Sequence, residues 1–184
     1  MIRNDVFQTL KPIISEHLVV CNIGAPSQEL HAMDDQPSNF YMLGTMGLAS
    51  SIGLGLAAAQ DKPVVAIDGD GSVLTNLGTL ATIGSNPHGN FTLLIIDNGS
   101  YGSTGDQPTY AGMKTDLAAV AKACGTENVQ TVSAEDTAAA VQAALASDAM
   151  TIIVSKCESG NVQVPVIKTN PIVIRERFME EVRR

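Results

Sequence analysis

Short apolar runs rich in Val and Ile alternate along the chain with longer segments in which apolar residues recur at helical spacing. The short runs predict strands near 18 to 23 (LVVCNI), 39 to 43 (NFYML), 63 to 68 (PVVAID), 91 to 97 (FTLLIID), 128 to 132 and 150 to 155 (MTIIVS). The longer segments predict helices near 4 to 16, 27 to 34, 46 to 60, 73 to 85, 115 to 124, 134 to 147 and 171 to 183. PVVAID and FTLLIID are apolar almost throughout, which implies strands covered on both faces, as in a parallel sheet between helices. The expected fold is therefore α/β: one doubly wound parallel sheet of about six strands with helices on both faces. ESGNVQVPVIKTNP (158 to 171) reads as a loop leading into a final amphipathic helix.

Length supports one domain, spanning residues 1–184, with a sizeable core. Eleven basic and nineteen acidic side chains give a net charge of −8, and no Lys or Arg stripe interrupts it. Nucleic acid and anionic membrane are thereby poor partners. The longest apolar stretch, Met46 to Ala59, is broken by Gly and Ser and is short of a membrane span. The opening residues carry charges through their apolar positions, unlike a secretion signal. Cys21, Cys124 and Cys157 are scattered, so no disulfide framework or CxxC metal pair is expected, and a cytoplasmic location fits best.

In a doubly wound sheet, ligands bind at the carboxyl ends of strands. That rule selects four loops: NIGAPSQE, LGTMG, DGDGS and DNGSYGSTGDQPT. In DGDGS, Gly69 and Gly71 let backbone approach a ligand closely, and Ser72 stands where the next helix should begin, suited to a phosphate. Caps and turns use the same residue types, so this loop alone decides little. It also imitates the start of a calcium loop, but Val73 replaces the required glycine and Thr79 the closing glutamate.

Twenty-six residues separate Gly71 from Asn98, room for one helix and one parallel strand. Asp70 and Asn98 should thus emerge side by side. One carboxylate and one amide oxygen, with the Ser100 carbonyl, are hard ligands suited to Mg²⁺ that also holds a diphosphate. A P-loop would bring its own lysine, and none is present.

Gly69-Asp70-Gly71 followed at this spacing by Asp97-Asn98 resembles the thiamin diphosphate binding motif, with Asp97 in place of the usual first Asn. NIGAPSQEL, FYMLGTMGLASSIGLGLA, IDGDGSVLTNLGTLATIG and IIDNGSYGSTGDQPT extend the resemblance to the phosphonopyruvate and sulfopyruvate decarboxylase group, most nearly to its separate beta subunits of the sulfopyruvate type. The resemblance implies a diphosphate-binding domain that uses thiamin diphosphate and Mg²⁺. It implies a carboxy-lyase active only with an alpha subunit carrying the pyrimidine-binding domain, in a hetero-oligomer converting 3-sulfopyruvate to sulfoacetaldehyde and CO₂ on the way to coenzyme M. It also implies metal ligation by Asp70, Asn98 and Ser100, and cofactor contacts from Gly69, Gly71 and Ser72.

By the same resemblance Gly44 offers its carbonyl to the aminopyrimidine and Met46 bends the cofactor. Tyr101 either packs beside the cofactor or anchors its loop, and Ser27 either touches the diphosphate or caps a helix. Ser103, Thr104, Gln107 and Thr109 are neutral donors for the substrate. The activating glutamate has no counterpart here and is expected from the partner, as is the positive charge for the sulfonate. Apolar surface around MGLASSIGLGLAAA would serve as a subunit interface.

Two other readings compete. Phosphonopyruvate, or another 2-oxo acid, is the neighbouring substrate within the group. A nicotinamide oxidoreductase is the rival class: Gly53-x-Gly55-x-x-Ala58 fits a dinucleotide fingerprint, and Asp68 sits where a ribose-binding acid would. Those glycines fall within a predicted helix, however, where close packing explains them better.

Overall fold

The computed structural model describes residues 1–184. Helix α1 (Arg3–Ile14) leads to strand β1 (Leu18–Cys21), α2 (Ala25–Met33), β2 (Asn39–Tyr41), α3 (Ala49–Ala59) and β3 (Val64–Gly69). Two short helices, α4 (Asp70–Thr75) and α5 (Gly78–Ser85), precede β4 (Phe91–Asp97). A small hairpin of β5 (Ser100–Tyr101) and β6 (Gln107–Pro108) follows. The chain then continues through α6 (Leu117–Ala123), β7 (Asn128–Ser133), α7 (Thr137–Leu145), β8 (Thr151–Lys156) and α8 (Pro171–Arg183).

The main sheet has six parallel strands in the order β2-β1-β3-β4-β8-β7. Successive side chains of a strand point to opposite faces, and two separate cores result. Val20, Ala66, Leu93 and Ile152 meet residues of α3, α5 and α6 on one face. Val19, Val65, Leu94 and Ile153 meet α1 and α7 on the other. Because the chain turns from β1 outward to β2 and then returns to β3, the strand order reverses between β1 and β3, which opens a crevice at their carboxyl ends. The edge strand β2 is covered by α8, where Phe178 lies 5.4 Å from Phe40 between ring centroids.

The predicted strands are all present, and three departures concern the helices and the loop after β4. The helix expected over 73 to 85 starts earlier, at Asp70, and breaks at Asn76 (φ −143°, ψ 53°). The Asn76 amide instead donates to the Gly47 carbonyl at 2.8 Å. The helix expected from 46 starts at Ala49, because Gly44 and Gly47 adopt positive φ and hold 44 to 48 as a loop. The loop after β4 carries the β5–β6 hairpin, whose two-residue strands are too short to leave a periodic signal.

Gly53 and Gly55 separate the packing explanation from the dinucleotide one. A Cβ on Gly53 would lie 2.8 Å from both Ala66 Cβ and Phe91 Cε2, whereas one on Gly55 would meet nothing within 4 Å. Helix α3 thus lies on the sheet through Gly53, away from any strand-to-helix turn. Gly53→Val should lower the unfolding free energy of the isolated chain by about 1–3 kcal/mol in urea titrations. Gly55→Ala should raise it by about 0.5–1 kcal/mol through helix propensity, an outcome a glycine required for a pyrophosphate would not allow.

Candidate active site

The crevice holds a cavity of about 290 Å³, lined by residues from the ends of β1, β3 and β4. Register explains the convergence: Gly69 of β3 pairs with Ile96 of β4, so Asp70 and Asn98 leave neighbouring strands on the same side. Both line the cavity, with Ser100 beside them.

Asp70 is only 2% exposed. One of its oxygens accepts a short hydrogen bond from the Thr109 hydroxyl, and no Lys, Arg or His pairs with it. Burial pushes its carboxyl above the usual carboxylate range, the Thr109 hydroxyl opposes that shift, and the Asp97 charge adds to it. A buried carboxylate facing a cavity without a counter-charge is a fit for a cation brought from outside. Asn98 keeps its side chain in place by accepting from the Ser100 backbone N–H at 3.1 Å.

Asp97, the departure from the usual Asn, is buried and ion-paired with Lys156, its register partner on β8. The neighbouring strand thus supplies the charge that this carboxylate needs. Asp68, the acid of the dinucleotide reading, is committed elsewhere. Its oxygens accept from the Gly69 N–H at 3.0 Å and from the Ser50 N–H at 3.4 Å, so it caps the start of α3 from the sheet. Burial raises its carboxyl pKa.

Three loops are fastened at Ser72. Its hydroxyl donates to Asn22 Oδ1 at 3.1 Å and accepts from the Gly47 N–H at 2.8 Å. Ser72 lines the cavity, with its hydroxyl hydrogen given to Asn22. Ser27 does not cap α2: it is buried, lies outside the cavity lining and bonds the carbonyls of Cys21 (3.1 Å) and Asn22 (2.6 Å), shaping the β1 turn.

Gly69 and Gly71 line the cavity, and a Cβ on Gly71 would run into the Tyr101 ring. Tyr101 packs against Gly71 and walls the cavity. Met46 lines the cavity too, whereas Gly44 is exposed at φ +96° and lies outside the lining. Of the neutral donors, Ser103 and Thr104 reach the cavity. Gln107 is exposed and exchanges hydrogen bonds of 2.9 Å with Thr104 inside the hairpin turn. Thr109 is fully buried, with its hydroxyl on Asp70, so it supports the carboxylate and does not face a substrate.

Residues missed from sequence are Asn22, Arg3 and Asn161, all lining the cavity. Asn22 follows β1 as Asn98 follows β4, and the strand-end rule could have found it. Arg3 from α1 and Asn161 from the loop after β8 have no local signal. Arg3, paired with Glu29, places in the cavity lining a cationic side chain that the strand-end loops themselves lack.

A sheet of this order with a strand-end Asp and Asn over one cavity defines a cofactor-diphosphate domain. The family model for the thiamine pyrophosphate enzyme, C-terminal TPP binding domain, matches residues 23–155, and the chain belongs to that family. Over 182 residues it is 46% identical to the sulfopyruvate decarboxylase subunit beta of Methanococcus maripaludis, covering 99% of this chain and 98% of that one. It is 42% identical to the phosphonopyruvate decarboxylase of Streptomyces viridochromogenes, where the match covers 87% of this chain but only 41% of the longer protein. Among solved structures, the Rhodococcus jostii RHA1 thiamine diphosphate-dependent 4-hydroxybenzoylformate decarboxylase superposes with a TM-score of 0.71 at 22% identity, over 88% of this chain and 33% of that one, which shows the shared fold.

The contact of Gly71 with Tyr101 can be measured. Gly71→Ala should cost about 1–3 kcal/mol of unfolding free energy as the ring is displaced. Tyr101→Ala in the same background should recover part of that loss, with a coupling of about 0.5–3 kcal/mol in a double-mutant cycle read by urea unfolding.

Proposed function

We propose that this chain is the diphosphate-binding half of a sulfopyruvate decarboxylase, acting with an alpha subunit that carries the pyrimidine-binding domain. The observation that carries the proposal is the buried, uncompensated Asp70 beside Asn98 in one cavity. The 46% identity to a sulfopyruvate decarboxylase subunit beta over nearly its whole length, against 42% over a shorter match to a phosphonopyruvate decarboxylase, supports sulfopyruvate as the substrate. The reaction releases CO₂ from 3-sulfopyruvate and leaves sulfoacetaldehyde, a step that would serve coenzyme M formation.

Mg²⁺ would be held by Asp70, Asn98 and the Ser100 carbonyl, with the diphosphate completing its shell. When bound, thiamin diphosphate supplies a nucleophilic ring carbon and an electron sink for decarboxylation. The protein's part is placement. Gly69 and Gly71 bring backbone close to the diphosphate, Met46 presses from the opposite loop, and Gly44 at the exposed rim offers its carbonyl towards the partner's side. Thr109 holds Asp70 in orientation, and Ser72 holds the loops of Asn22 and Gly47 around the cavity. Ser103 and Thr104 are the neutral donors available to the substrate.

Leu43, Met46, Leu48 and Ile52 are exposed, large and apolar along the loop and helix beside the cavity, which suits them to the partner subunit. No helix is long and apolar enough to cross a membrane. The three cysteines are free, and we place the protein in the cytoplasm on that ground.

The isolated chain should not decarboxylate sulfopyruvate with thiamin diphosphate and Mg²⁺, while the reconstituted pair should; turnover by the lone chain would overturn the divided site. Asp70→Ala should weaken Mg²⁺-dependent cofactor binding by the pair at least about 100-fold in calorimetric titration. Chelation of Mg²⁺ should do the same to the wild type. Leu48→Asp should weaken assembly with the alpha subunit, measured by analytical ultracentrifugation.

A further inference from the structure

Arg3 is the one Lys or Arg among the residues that line the cavity, and it is 5% exposed. Its Nε and Nη2 donate to the two oxygens of Glu29 at 2.9 and 2.8 Å, and Nη2 also donates to Asn161 Oδ1 at 2.7 Å. The second terminal nitrogen, Nη1, has no acceptor within the chain. Glu29 is itself fixed by the Val162 N–H at 3.0 Å, and Asn161 donates to the Gly102 carbonyl at 2.9 Å. The guanidinium is therefore clamped between α2, the turn at Gly102 and the segment after β8, with the two N–H groups of Nη1 left over.

A clamped pair of this kind is costly to bury and needs a reason. Its surroundings point to an anion. Gly24 and Pro26 at the start of α2 line the same cavity, and a Cβ on Gly24 would lie 3.3 Å from Ser103 Oγ. A diphosphate carries more negative charge than one Mg²⁺ neutralises, and Asp70 adds to the excess. Nη1 is a charged donor with both N–H groups free while the Nε/Nη2 fork holds Glu29, and only Arg, not Lys, can serve a carboxylate and a phosphate from opposite edges of one planar group. We infer that Arg3 donates through Nη1 to the terminal phosphate of the cofactor, so that the site distinguishes a diphosphate from a monophosphate. The inference rests on the cofactor reading of this cavity and adds a residue to it.

The test compares thiamin diphosphate with thiamin monophosphate, each titrated calorimetrically with Mg²⁺ into the complex reconstituted with the alpha subunit. Arg3→Met together with Glu29→Met removes the ion pair as a unit, leaving no orphaned charge. This variant should bind the diphosphate about 10- to 100-fold more weakly and the monophosphate as the wild type does. Arg3→Lys, which keeps the charge against Glu29 but loses the fork, should fall between them and serves as the reading if the double variant does not fold. Equal weakening of both ligands would make Arg3 purely structural and overturn the inference. So would unchanged binding, or a change confined to KM for the 2-oxo acid. If the wild type binds no thiamin diphosphate, the cofactor reading falls first and this assignment falls with it.

Discussion

A carboxylate held out of water without a cation is the constraint around which this molecule is arranged. Asp70 is the first residue of α4 and stands at the end of the central strand β3, where the sheet shields it from below and Tyr101 and its loop enclose it from above. Thr109 satisfies one oxygen with a hydrogen bond but brings no charge. Asp97, whose charge acts on Asp70, already has Lys156. Desolvation penalises the ionised form by more than the neutral donors around it offset, so the site as built favours a metal cation that arrives with its own counter-anion.

The geometry needed for this is inexpensive in sequence terms and demanding in tertiary terms. Parallel pairing of β3 with β4 sets Asp70 beside Asn98 with no special residue in either strand. Holding the surrounding loops takes more. Ser72 binds the β1 loop to the loop that follows β2, and Asn76 gives up helical geometry to hold Gly47. Gly47 itself has no room for a side chain: a Cβ there would lie 2.9 Å from Asn76 Cβ and 3.2 Å from the Ser72 carbonyl oxygen. These contacts make the cavity wall a consequence of packing rather than of any one loop's preference.

What was legible in the chain follows from range. The six strands, the two-sided burial and the adjacency of Asp70 and Asn98 rest on short continuous apolar runs, on period-3.6 patterns and on one loop-to-loop spacing, all local or nearly so. The Asn76 break was not legible, because TNLG reads as continuous helix until Gly47 is known to lie against it. Ser72, Ser27 and Thr109 were recognised as polar residues at strand ends. Whether such a hydroxyl meets a ligand or another part of the chain depends on contacts with segments as much as 50 positions away. Arg3 was invisible for the same reason: 26 positions from Glu29 and 158 from Asn161, it reads as an ordinary helical charge.

The two cores carry a consequence for how such enzymes are assembled over evolutionary time. Each face of the sheet is filled by side chains of this chain alone, so no partner residue is needed to complete the folding unit. The mouth of the cavity and the apolar strip beside it look outward, as do Tyr110, Met113, Val166, Ile172 and Val173. A gene that joins this unit to another, or that separates the two, changes how often the halves meet and leaves each interior as it was. Fused and divided versions can then be exchanged without passing through an unfolded ancestor.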